Sequence, residues 1–129
     1  MNKLEIPRDL LIPVLTNRIH AIFKLYNDKY ETCGERNLTV GRKSYAVADI
    51  LSTRNMKYTD LKLKDVELGG FKTLDDFKTW WFMQGYREYN PIYMIKFDLL
   101  RLKPLGKWYL KKNNEHIPII KEKLGDYDE

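Results

Sequence analysis

The chain has 129 residues, room for one domain of ordinary size. A chain of this length buries about two thirds of its unfolded surface, enough for a core without disulfides or a structural metal. Aliphatic and aromatic residues make up 43% and charged residues 32%, which excludes a wholly disordered chain, and 23 Lys and Arg against 18 Asp and Glu leave a net charge of +5, a balance that favours an anionic partner.

From Met1 to Asp9 no long apolar stretch follows a basic start, and Leu10–Leu15 is short and lies between Asp9 and Arg18. Neither a leader nor a membrane span is expected, and the protein is read as cytoplasmic. Residues 7–18 read as a short helix that Pro13 would kink or restart. Residues 19–25 read as a strand, with Ile19, Ala21 and Phe23 on one face. Arg18, His20, Ile22 and Lys24 would share the other, a basic cleft wall. Residues 26–37 are polar and turn-rich. Cys33, the only cysteine, has acidic neighbours that disfavour a thiolate, so a passive thiol and a reducing interior are expected. One Cys with His20 and His116 does not make a Cys/His zinc site, and neither metal nor cofactor is expected.

Leu38–Val40 reads as a short strand before a turn at Gly41–Ser44, which lacks the earlier glycine of a phosphate loop because position 36 is Arg36. Tyr45–Ser52 is the next strand, with Thr53–Tyr58 expected to leave the sheet edge. Arg54, Lys57 and Tyr58 set cations beside a ring, as single-stranded nucleic acid requires: the cation takes a phosphate and the ring stacks on a base. Thr59–Asp60 begins a polar helical turn toward Val66.

The clearest helix covers residues 74–84. Thr73 is its N-cap, Asp76 stands at the capping-box position and Gly85 supplies the stop. Leu74, Phe77, Trp81 and Gln84 form one stripe. Trp81 is expected buried, Trp80 half buried and Phe82 directed elsewhere. Tyr86, Arg87 and Tyr89 fall in the following loop, where contacts with a partner concentrate. Pro91–Leu99 reads as a strand that carries Tyr93.

From Leu100 onward the composition changes. Between Arg101 and Lys123 seven bases stand against two acids, a surplus of five that equals the net charge of the whole chain. Pro104 would open a short helix around Trp108, Tyr109 and Leu110, and Pro118 a second one that Gly125 would end. Lys107, Lys111 and Lys112 around Trp108 read as a patch for phosphates.

Three segments together resemble the ASCH domain, a small barrel related to PUA domains. Asp49-Ile50-Leu51-Ser52-Thr53-Arg54-Asn55-Met56 resembles the strand ending in Val-x-x-Val-Arg-x-Met. Asp65 to Phe77, with Gly70-Phe71 at its centre, resembles the segment "Asp-Ala-x-x-Glu-Gly-Phe-x-Ser-x-Glu-Glu-Phe". Tyr93-Met94-Ile95-Lys96-Phe97 is similar to the closing strand "Tyr-Val-Ile-x-Phe". Leu15–Lys24 would take the place of the signature "Gly-x-Lys-Thr-x-x-x-Arg". The resemblance covers residues 5–100. It implies a mixed five- or six-stranded barrel with two or more helices, and a cleft beside the first helix and first strand that accepts RNA or a nucleotide-like ligand. One branch of the family hydrolyses N4-acetylcytidine with a Lys, Thr and Glu set, and some members are ribonucleases. In the alignment these positions hold Ile19, Ile22 and Gly69, none of which moves a proton, so that amidohydrolase chemistry is expected to be absent. The signature Arg is matched by Lys24, which keeps the charge and loses the bidentate geometry.

The resulting expectation is an α+β fold, a PUA-like mixed β-barrel with flanking helices over residues 1–100 and a basic C-terminal extension over 101–129, packed on the domain or trailing it. The expected function is binding of RNA or single-stranded nucleic acid through Arg18, Lys24, Arg54, Lys57, Tyr58, Tyr86, Arg87, Tyr93, Lys107, Lys111 and Lys112. That function predicts that Arg18, Lys24, Arg54 and Tyr93 converge on one concave surface. Two alternatives come from other classes. One is a ribonuclease or nucleoside-acting hydrolase, with His20 as the general acid or base. The other is a protein-interaction module that uses the aromatics around Phe82 and Tyr86. No membrane partner is expected.

Overall fold

The computed structural model describes residues 2–26 and 32–120. In chain order these form β1 (Lys3–Glu5), a 3₁₀ turn (Arg8–Leu10), α1 (Leu11–Leu15), β2 (Ala21–Leu25), β3 (Gly34–Val40), β4 (Lys43–Met56), a second 3₁₀ turn (Tyr58–Asp60), α2 (Leu63–Leu68), α3 (Leu74–Met83), β5 (Ile92–Leu102) and α4 (Pro104–Lys112). The strands make one sheet in the order β1-β3-β4-β5-β2. β1 runs parallel to β3 and every other pair is antiparallel, so the sheet is mixed, as expected. Register shifts at Leu38/Thr39, Val47/Ala48 and Ile50/Ser52 are bulges that bend the long β4 and let the sheet wrap into a half-barrel.

Alternation along the strands divides the core between the two faces of this sheet. Ile22 on β2 and Tyr93, Ile95 and Phe97 on β5 point into the concave side, where they meet β1, α1 and Leu110 of α4. Ala21 and Phe23, with Ile92 and Met94, point out to the convex side and are covered by Val66 of α2 and by Phe77 and Trp81 of α3. Both faces of the sheet are thus buried near its middle.

α3 forms where its cap and stripe predict. The Asp76 amide donates to Thr73 Oγ1 at 3.0 Å, Phe77 and Trp81 are 0% exposed, and Gly85 at φ +92° ends the helix. α2 sits close to β2 because Gly69 and Gly70 carry no side chain. A Cβ on Gly69 would lie 2.6 Å from the Phe23 ring, and one on Gly70 would lie 2.6 Å from Ile19. The His20 amide completes the seam by donating to the Leu68 carbonyl at 2.7 Å.

Several local expectations are corrected. The helix expected over residues 7–18 is interrupted as Pro13 suggested: a 3₁₀ turn at Arg8–Leu10 gives way to α1, whose first turn holds Pro13 where its missing N–H is tolerated, but α1 ends at Leu15, short of residue 18. Arg18, Ile19 and His20 precede β2. Thr53–Met56 does not leave the sheet but stays paired with β5 as far as Ile92. β5 runs past the expected division at residue 100, and α4 packs onto the domain through Leu110 and a Tyr45–Tyr109 ring contact at 5.6 Å. Pro104 opens α4 as expected, and the helix expected from Pro118 extends to residues outside those described. No helix among the described residues is long and apolar enough to cross a membrane.

Candidate functional site

β1 and β2 are the two edges of the sheet, and no ladder joins them among the described residues. The open seam between them holds a groove of about 620 Å³, a size suited to a small ligand or a nucleotide. Both edges contribute: Glu5 and Ile6 from the end of β1, Phe23, Lys24 and Leu25 from β2. The turn at Val40–Gly41 floors one end, and Trp80, Gln84 and Tyr86 from the end of α3 wall the other.

The chemistry of this groove follows from which groups the scaffold already engages. Glu5 accepts from Thr39 Oγ1 and from the Gly41 amide, both at 2.8 Å, so its two oxygens hold β1 to the β3–β4 turn. Trp80 Nε1 donates to Asp9 Oδ2 at 2.9 Å, which fixes the indole against the groove. Tyr86 leans on Trp81 with ring centroids 4.5 Å apart. The lining carries two cations, Arg8 and Lys24, against the one carboxylate of Glu5. The lining thus offers two cations, an indole, a phenol and the Gln84 amide.

Of the residues expected from sequence, Lys24 and Tyr86 lie in this groove. The expected convergence does not occur. Lys24 and Tyr93 are register partners on the concave face, whereas Arg54 pairs with Met94 and so lies on the convex face. Arg18 is in the loop after α1, 3.8 Å from Glu115. Tyr93 is 4% exposed and packs beside Tyr26, so its ring offers no face to a base. Arg54 bridges Asp65 Oδ1 at 3.0 Å and joins β4 to α2.

Lys57 is exposed just ahead of the second 3₁₀ turn, and its amide donates to Asp60 Oδ2 at 3.4 Å. Tyr58 stacks on Phe82 at 6.1 Å with Lys78 Nζ 5.6 Å from its ring. Burial first, then Glu88 and Asp75, push the Tyr58 phenol above its ordinary value, so it stays protonated at neutral pH. Arg87 is exposed and donates to the Tyr86 carbonyl at 2.9 Å. Lys107, Lys111 and Lys112 lie exposed on α4, with Lys112 Nζ 4.9 Å from the Trp108 ring. His20 lies on another part of the surface, in a smaller hollow of about 200 Å³ with Asn17 and Asp98. Arg8 was not anticipated, and Trp80 and Gln84 were read only as residues of the helix, because their meeting with β1 and β2 depends on α3 reaching the start of the chain.

No family model matches the sequence, and no curated protein matches it. The architecture does have counterparts among solved structures. A protein from Enterococcus faecalis V583, described under the family model DUF984, superposes with a TM-score of 0.63 over 81% of this chain and 83% of its own, at 11% identity. An ASCH domain from Lactobacillus crispatus JV V101 superposes with a TM-score of 0.54 over 72% of this chain and 71% of its own, at 15% identity. The fold is that of an ASCH domain. Of the three residues that the resemblance set against the Lys, Thr and Glu positions, Ile22 is fully buried, Ile19 lies against Gly70, and Gly69 lies against Phe23.

Proposed function

We propose that the protein binds single-stranded nucleic acid, RNA in the first instance, with a nucleotide seated in the open seam of its ASCH-type half-barrel. The observation that carries this reading is the meeting of Arg8 and Lys24 with Trp80 and Tyr86 in one groove. The cations take the phosphate, and the aromatic wall takes a base face. Lys107, Lys111 and Lys112 on α4 add phosphate contacts along a longer strand, and these position the strand without reading its sequence. Work inside a cell, on RNA in the cytoplasm, is part of the same proposal.

Titration of a labelled single-stranded RNA at rising salt tests it. With about four to six phosphates neutralised, the log–log slope of affinity against salt is expected near −3 to −4, from about −0.7 per contact. Charge reversal at Lys107, Lys111 and Lys112 should weaken binding to all sequences alike and flatten the slope. Lys24→Glu should flatten it too and also abolish binding of a mononucleotide. Absence of binding at low ionic strength would refute the proposal and favour a protein partner at Phe82 and Tyr86. Cleavage of the RNA that is lost in His20→Ala would replace binding by ribonuclease activity.

A further inference from the structure

The C-terminal end of α3 carries a second hollow, of about 660 Å³, lined by Phe82, Arg87, Glu88 and Tyr89. Its two rings, Phe82 and Tyr89, are both exposed. Tyr89 is 79% exposed and Phe82 38%, with Met83 beside them at 78%. Phe82 leans on Tyr58 with the two rings nearly parallel, at 22°, so the hollow rests on a stacked pair rather than on one isolated ring. Lys78 covers Tyr58 from the side.

The second hollow abuts the seam groove in the chain itself. Trp80, Gln84 and Tyr86 face the groove, while Phe82, Arg87, Glu88 and Tyr89 face the hollow. The step from one to the other is the single peptide unit between Tyr86 and Arg87, where the Arg87 guanidinium folds back to the Tyr86 carbonyl at 2.9 Å. The hollow's one cation is thus held next in the chain to the groove's Tyr86. Arg87 and Glu88 balance in charge within the hollow, so its two rings are what fit it to the uncharged face of a base.

We propose that the Phe82–Tyr89 hollow is a second base-stacking site, and that one strand of nucleic acid runs from the seam groove over Arg87 into it. This rests on the nucleic-acid reading of the seam groove and extends it from a single nucleotide to a track around the end of α3. Stacking on exposed rings tolerates any base, so the hollow adds affinity with little sequence preference.

Comparing uridine probes of two lengths on the full chain by fluorescence anisotropy tests the track. The short probe is labelled uridine monophosphate, which fills the groove alone, and the long one, of about twelve nucleotides, reaches both sites. Tyr89→Ala should weaken binding of the long oligomer about tenfold and leave the short one unchanged, a difference that corresponds to one stacked base. Tyr89 is nearly fully exposed, so this variant keeps the fold. Phe82→Ala should act in the same direction, and thermal melting shows whether removing its contact with Tyr58 costs stability as well. Unchanged affinity for the long oligomer in Tyr89→Ala, while Lys24→Glu abolishes binding of both, would overturn the track and leave the groove standing. Equal weakening at both lengths would place Tyr89 in the first site and overturn the track too. Failure of the unaltered protein to bind either probe would overturn the groove reading itself. Capture of a peptide by the hollow, lost in Tyr89→Ala, would assign the hollow to a protein partner instead.

Discussion

Phe77 shows how much one side chain decides here. Its ring meets Phe23 at 4.9 Å, Phe71 at 5.3 Å and Trp81 at 5.8 Å, so it links the convex face of the sheet to α3. Truncation to alanine removes all three contacts and opens a cavity. Phe77→Ala should lower the unfolding free energy by about 3–5 kcal/mol in urea titrations, and a loss below about 1 kcal/mol would contradict its place in the core. The position of Phe77 was legible because a capping threonine fixed the phase of α3 and the stripe followed at helical spacing. Tyr93 was misread for the opposite reason. It lies between Ile92 and Met94, both buried, and in a run that is apolar on both faces nothing marks which side meets solvent. Arg8 went unremarked and Trp80 was read only as half buried, because the bond that unites their neighbourhood, Trp80 to Asp9, spans 71 residues of chain.

At the scale of elements, Arg54 changes meaning. A cation at a strand end reads as a phosphate contact, yet its guanidinium bridges Asp65 at the start of α2. Asp65 has only 7% of its side chain exposed, and Arg54 has 55%. Arg54→Met leaves a buried carboxylate with one partner fewer. The expected loss is about 1–2 kcal/mol in thermal or urea unfolding, below that of a fully buried pair because the guanidinium is half in solvent. Asp65→Asn in the same background should recover part of the loss, whereas a purely ligand-binding Arg54 would show no loss at all. The strand that carries Arg54 was divided too early for a related reason. Ser52-Thr53-Arg54-Asn55 is polar and partly exposed, so its pattern resembles a loop, while its partners on β5 hold it in the sheet. Bulges in β4 leave no mark in composition, and β1, three residues long, is too short to show alternation.

For the whole molecule, the order of segments proved more informative than any one of them. Strand, helix start and closing strand in sequence led to the ASCH resemblance, and the superposed structures share that fold at 11% and 15% identity. The groove was legible only in part: the resemblance implied a cleft beside the first strand, and Lys24 does line it, but its other wall belongs to no segment, being the space left where β1 and β2 do not pair among the described residues. That gap has a consequence for the backbone itself. Among the described residues β2 has a neighbouring strand on one side only, so every second amide faces the gap, and a polynucleotide lying there would shield those amides from solvent water. Deuterium uptake at residues 21–25 should therefore slow when single-stranded RNA is added, while uptake along β4, flanked by strands on both sides, stays as it was. Uptake at residues 21–25 that is indifferent to RNA, at concentrations that saturate binding, would mean that the strand lies elsewhere on the surface. The unclosed wall would then report occupancy by the rate at which its own hydrogens exchange.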